Sequence, residues 1–174
     1  MKDVIIICQY YTGFYFLIIG LLKTFSYKYF INHLLSLKVI KNKTLNRVIG
    51  YMIPIAEIVL GVMVLIHVYD KLMLFLMLLM TTGFTVFLGI IYKRVGKNNL
   101  NCGCYGSFFH DDIGPIKITE NLLLIIVILF TLLLYEFNQN EHIFHYITSL
   151  MLVLSHLVAL KIRSMFAQFK DRLP

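Results

Sequence analysis

The sequence predicts an all-α, polytopic helical bundle embedded in lipid, and three observations predict it. Of 174 residues, 59% are apolar and only 14% charged, with a mean hydropathy of +0.80, a balance far from that of a water-soluble domain. Several apolar runs reach the ~18–20 residues an α-helix needs to cross roughly 30 Å of hydrocarbon. Lysines and arginines crowd the flanks of these runs and are nearly absent inside them. A soluble core of this size could not hide so much apolar surface.

Five segments qualify in order. Residues 4–22 hold no charged side chain and stop at Lys23. Residues 50–68 form the second span, with one acid, Glu57, and one proline, Pro54, inside it. Residues 72–92 are the third. Residues 121–135 are short before Glu136, so this fourth span either gains a turn from residues 116–120, which places it at about 119–135, or sits short in the bilayer. Residues 143–160 are the fifth, diluted by His145, Ser149, Ser155 and His156; the other reading of this segment is a half-buried helix at the interface. Met1 and Lys2 precede the first run as in a signal peptide, but the run is long and no small-x-small site follows it, so the first helix is expected to stay. The chain as a whole, residues 1–174, reads as one membrane domain without repeats or low-complexity linkers.

Charge sets an expected orientation. With five spans, one side holds only Lys2 and Lys71, while the other holds Lys23, Lys28, Lys38, Lys41, Lys43, Arg47, Lys93, Arg94, Lys97, Lys117, Lys161, Arg163, Lys170 and Arg172, fourteen of the sixteen basic residues. Cytoplasmic loops collect basic residues, which predicts a multi-pass cell-membrane protein with its N-terminus outside and its C-terminus in the cytoplasm. The net charge of +7 is thus a topology signal. It is spread over several flanks rather than gathered on one folded face, which argues against nucleic-acid binding.

Two loops carry content. Residues 24–49 show a partial helical stripe at Phe30, Leu34 and Leu37 with lysines around it, which predicts an interfacial helix that either pads the end of the bundle or meets a partner. Residues 93–120 contain Cys102-Gly103-Cys104-Tyr105-Gly106. Two cysteines one residue apart close a disulfide only around a sharp backbone turn, for which Gly103 has the conformational freedom. Strained, accessible disulfides are the exchangeable ones, and nearby Lys93, Arg94 and Lys97 favour the attacking thiolate. Three readings stay open at this point: thiol–disulfide exchange, a metal site using Cys102, Cys104 and His110, and two idle thiols. No second ligand pair stands at zinc spacing, so no metal is expected. His110, Asp111 and Asp112 form either a proton-handling trio or a solvated turn.

Cys8 lies fifteen residues before Lys23, roughly 22 Å away along the helix, and reads as a buried small hydrophobe. Glu57 is an acid within a span, where an unpaired charge costs several kcal/mol, and Lys23 is its expected partner. That pair either pins two helices or takes part in a proton relay or cofactor contact. The histidines at 67, 142, 145 and 156 are expected mostly near the interfaces, and Met73, Met77 and Met80 read as packing rather than a copper path.

At these residues the sequence resembles the methylamine-utilisation MauE family, within the broader DoxX-like group of redox-associated membrane proteins. The similarity rests on Gly20 and Lys23 closing span one, Phe25 and Phe30 beyond it, Pro54, Glu57 and Gly61 in span two, Cys102-Gly103-Cys104-Tyr105-Gly106, and Asn121 opening span four. It covers roughly residues 13–135, with Tyr105 where a phenylalanine is expected. The resemblance implies a four-helix core, to which residues 143–160 add a fifth span. It implies a membrane redox protein working beside a thioredoxin-like partner to make or rearrange disulfides in an exported protein or peptide. Cys102 and Cys104 would be the redox pair, with Gly103, Gly106, Lys23 and Glu57 supporting them. No cofactor is fixed by these residues, and a quinone is the one left open. The competing expectation is a non-enzymatic membrane protein, an immunity factor or a transport accessory, that has no use for the two thiols.

Overall fold

The computed structural model describes residues 2–36, 43–95, 115–135 and 143–170. They form six α-helices and, among the described residues, no strand: α1 (Lys2–Phe25), α2 (Tyr27–Ser36), α3 (Lys43–Leu65), α4 (Asp70–Val95), α5 (Pro115–Leu134) and α6 (Ile143–Lys170). All but α2 are long and apolar enough to cross a membrane. The expected polytopic bundle is present, with all five expected spans.

Helix ends follow local chemistry. α1 has Asp3 in its first turn and Lys23 in its last, each charge complementing the end of the helix dipole it sits on. α5 opens on Pro115, which is pre-set for the first helical position and loses no intrahelical bond there; the extra turn expected of the fourth span forms. α3 begins seven residues before position 50, because polar Thr44, Asn46 and Arg47 continue the helix past the hydrophobic stretch. It stops at Leu65 rather than 68, since His67 and Tyr69 adopt left-handed backbone angles, φ 55° and 53°, and turn the chain into α4. Pro54 sits inside α3. α6 runs ten residues beyond position 160.

α1 is the central helix. Its apolar window is 56% buried, against 22–28% for the other four spans, and it packs against α3, α5, α6 and, at its end, α2. The outer helices turn side chains such as Leu72, Leu123, Ile126 and Val158 outward, where lipid covers them.

The α1–α3 seam depends on glycine. A Cβ on Gly61 would stand 2.7 Å from the Leu17 nitrogen and 2.8 Å from the Gly13 carbonyl oxygen, and one on Gly20 would stand 2.9 Å from the Pro54 carbonyl oxygen. Small residues let helix backbones approach this closely in lipid, where van der Waals contact rather than water exclusion drives association. Around the seam, Tyr15, Phe16, Val64, Leu74, Met77, Leu88 and Ile128 form the core, with Met73 and Met80 against it, so these methionines pack as expected. α2 closes one end: Phe30 and Ile31 are buried, and Ile31 reaches to within 2.8 Å of where a Gly50 side chain would begin. Leu37 lies outside the described residues.

Candidate functional site: a charged cavity under aromatic rings

Between α1, α2, α3, α4 and α5 lies a cavity of about 380 Å³. Its wall mixes aliphatic side chains with five aromatic rings, from Tyr15, Phe16, Phe30, Phe84 and Phe87, and among them stand Lys23, Glu57, Lys117, Asn121 and Asn46. Charged groups in such a setting are costly unless each has a partner, so their pairing decides what the cavity can do.

Lys23 and Glu57 meet as a buried ion pair, 2% and 8% exposed. The Gly20–Pro54 approach holds α1 against α3 one turn away and brings the two together. The Lys23 ammonium also lies 5.5 Å from the centroids of both Phe30 and Phe84, whose ring faces offset part of its lost hydration. Lys117 donates to one Glu120 oxygen at 3.1 Å, and Arg163 of α6 pairs with the other. Of the four side-chain polar atoms buried with no hydrogen-bond partner among the described residues, Gln9 Oε1, Asp70 Oδ1, Glu57 Oε2 and Asn121 Nδ2, the last two belong to this end of the bundle. One is an acceptor, the other a donor, and both residues line the cavity.

A second polar cluster occupies the opposite end of the bundle. Asp70 Oδ2 accepts from Gln9 Nε2 at 2.9 Å and the Tyr135 hydroxyl at 2.7 Å, and lies 2.7 Å from His67 Nδ1. His67 Nε2 is 2.7 Å from the Tyr10 hydroxyl. In mid-bundle the Tyr11 hydroxyl meets His156 Nδ1 at 2.5 Å, and the Tyr15 ring stacks 5.6 Å from His156. His145, buried, lies 3.3 Å from Asp3. These histidines, expected near the interfaces, are thus tied into interhelical contacts.

Of the expected site residues, Lys23 and Glu57 are brought together as anticipated. Cys102, Gly103, Cys104 and Gly106 lie outside the described residues, as do His110, Asp111, Asp112 and His142. Cys8 is a half-buried free thiol. No group of three or more metal-ligating side chains occurs among the described residues. Lys117, Asn46 and the Glu120–Arg163 pair were not singled out from sequence. Lys117 counted there only as a flanking charge, although a lysine and a glutamate three residues apart at the mouth of an apolar helix is the signal that marks them.

Five apolar helices, four of which surround an ion-paired cavity together with α2, define a polytopic helical membrane protein with a buried polar site. The family model for Methylamine utilisation protein MauE matches residues 1–134. The chain belongs to that family; α6 lies beyond the match. No curated protein and no solved structure matches it.

Proposed function

We propose that this MauE-family protein is a membrane thiol–disulfide exchanger that uses Cys102 and Cys104 with a thioredoxin-like partner and supports disulfide formation in an exported protein or peptide. The observation that carries this is where the cysteine segment is anchored. It leaves α4 at Val95 and returns at Pro115, and two residues further on Lys117 lines the cavity that holds Lys23 and Glu57. The two sulfurs are therefore tethered to the end of the bundle that carries the buried charges. A coarser membrane-accessory role follows from family membership alone.

In the exchange, a thiolate of one partner attacks a sulfur of the other's disulfide. A mixed disulfide forms, the displaced sulfur leaves as a thiolate, and the second cysteine of the attacking pair resolves the link. Gly103 lets the two sulfurs approach within a small ring, and cationic surroundings keep the attacking sulfur ionised. Lys23 and Glu57 shape the cavity at the end of the bundle where α4 ends and α5 begins. By the distribution of basic residues this end faces the cytoplasm.

Single Cys102→Ser and Cys104→Ser variants are expected to accumulate an unresolved mixed disulfide, visible as a reducible band on a non-reducing gel. A membrane-impermeant thiol reagent, applied to intact cells and to inverted vesicles, is expected to reach the pair only in the vesicles. Full biological activity in the double serine variant would refute exchange and leave a non-enzymatic immunity or transport-accessory role.

A further inference from the structure

We infer that the corner where α1, α2 and α3 meet binds an anionic phospholipid, with Lys28 and Arg47 on its phosphate and the stacked rings of Tyr27 and Tyr51 beside its glycerol backbone. The site is separate from the charged cavity, with which it shares no lining residue, and it takes no part in thiol exchange.

Charge selects the ligand. Between Asp3 and Glu57 the chain has no carboxylate, and residues 24–56 hold five basic side chains. Glu57 itself is held by Lys23. Among the described residues neither Lys28 nor Arg47 has an acidic partner, whereas Lys117 and Arg163, at the same end of the bundle, are both neutralised by Glu120. Each base near a membrane surface favours an anionic headgroup by roughly a factor of five.

A basic flank alone sets topology, but this corner also has the shape of a site. A crevice of about 360 Å³ is lined by Thr24, Tyr27, Gly50, Tyr51, Pro54 and Ile55. It opens outward, since Tyr27, Tyr51 and Ile55 are 39%, 49% and 52% exposed. The Tyr27 ring of α2 and the Tyr51 ring of α3 stack with centroids 6.0 Å apart, bridging the two helices, and tyrosine favours the headgroup level of a bilayer. The Lys28 ammonium stands 5.9 Å from the Tyr27 centroid. Arg47 is exposed one turn before Tyr51, which stands one turn before Ile55, so the three share a face of α3 over roughly 12 Å. Guanidinium, phenol ring and aliphatic side chain thus follow one another in the order of a phospholipid read from phosphate to acyl chain. The guanidinium fork matches phosphate oxygens bidentately, while a zwitterionic lipid would bring a cation of its own to the same bases. α2 also carries Phe30 and Leu34 into the wall of the charged cavity, so a lipid clamped between α2 and α3 steadies that wall.

The test uses the full chain in reconstituted bilayers. Because the chain has no tryptophan, a single one reports its own lipid neighbours. Tyr51→Trp keeps an aromatic ring in the crevice, and Phe166→Trp, at an exposed position on α6 near Arg163, is the control. Quenching by brominated phosphatidylglycerol against brominated phosphatidylcholine gives the relative affinity of the two lipids at each reporter. A preference for phosphatidylglycerol of about fivefold or more is expected with Tyr51→Trp and below about twofold with Phe166→Trp. Adding Lys28→Gln and Arg47→Gln is expected to bring the first below about twofold, whereas Lys93→Gln with Lys161→Gln, an equal loss of charge at the same end, leaves it unchanged. Ile55→Phe, which fills the crevice with both bases in place, is expected to halve it or more. Every substituted side chain is exposed, and unchanged far-UV circular dichroism checks that each variant folds. Equal preference at the two reporters, equal effects of the two charge pairs, or a preference indifferent to Ile55→Phe would overturn the site.

Discussion

Replacing Gly61 by alanine is the sharpest single perturbation of this bundle. The new Cβ would lie 2.7 Å from the Leu17 nitrogen, 2.8 Å from the Gly13 carbonyl oxygen and 3.0 Å from the Leu17 Cα. Ordinary contact begins near 3.4 Å, so α1 and α3 must part by about 3.4 − 2.7 = 0.7 Å at this point. Every clashing atom is backbone, so no rotamer change relieves it. Overpacking costs typically about 1–3 kcal/mol, and the rigid neighbours place this case in the upper half, roughly 2–3 kcal/mol, or roughly a 30-fold to 150-fold change in the unfolding constant. Glu57 lies one turn before Gly61 on the same face, so the opening also draws it from Lys23. Reversible unfolding in mixed micelles, followed by far-UV circular dichroism, measures the loss; the chain has no tryptophan, so helicity is the natural probe. Gly89→Ala is the control. A Cβ there meets nothing within 4 Å, and the substitution is expected to be neutral or to stabilise by about 0.5–1 kcal/mol through helix propensity. A Gly61→Ala variant within about 0.5 kcal/mol of wild type, or a Gly89→Ala loss of equal size, would refute the close-packed seam; differences above that size exceed ordinary surface effects.

Other outcomes follow from the polar contacts. Lys23→Met alone strands the Glu57 carboxylate and is expected to cost about 3–5 kcal/mol, whereas Lys23→Met with Glu57→Leu recovers most of that stability; a double variant no better than the single one counts against a direct pair. Asp70→Ala removes the shared acceptor of Gln9 and Tyr135 and is expected to cost about 2–4 kcal/mol, while Tyr135→Phe, losing one bond, costs nearer 1 kcal/mol. Equal losses in the two would argue against Asp70 as the hub. Arg163→Met, which frees one oxygen of the half-buried Glu120, is expected to cost about 1 kcal/mol and to leave the Lys23–Glu57 end intact, as judged by unchanged melting of the α1–α3 seam in hydrogen exchange.

How much of this was legible in the sequence follows from what each signal measures. Hydropathy located the five spans because lipid demands ~20 apolar residues whatever their packing. It missed the ends of α3 and α6, where polar residues continue the helix beyond the hydrocarbon. The Lys23–Glu57 pair was readable because each charge is conspicuous beside a long apolar run and both stand at the same depth. Gly20 and Gly61 entered only as pattern positions; their meaning as a seam needed the facing backbone atoms of Pro54, Gly13 and Leu17. The Asp70 cluster was missed altogether, since Gln9, His67 and Tyr135 come from three separate stretches and no local spacing unites them. Asn121 was visible as the opening of the fourth span, but that its amide nitrogen would be buried without a partner depends on the cavity around it.

The centrality of α1 has a bearing on how the protein is made. The helix that ends up packed against α3, α5 and α6 precedes all three in the chain, so a ribosome delivers Gln9 and Lys23 before the partners they meet later in the chain. Lys23 must wait for the arrival of Glu57, thirty-four positions later, and until then snorkels toward the headgroups. Its swing inward when α3 inserts would fix the register of α1 against α3 during synthesis, turning a residue that looks like a burden in the finished bundle into a latch between two helices.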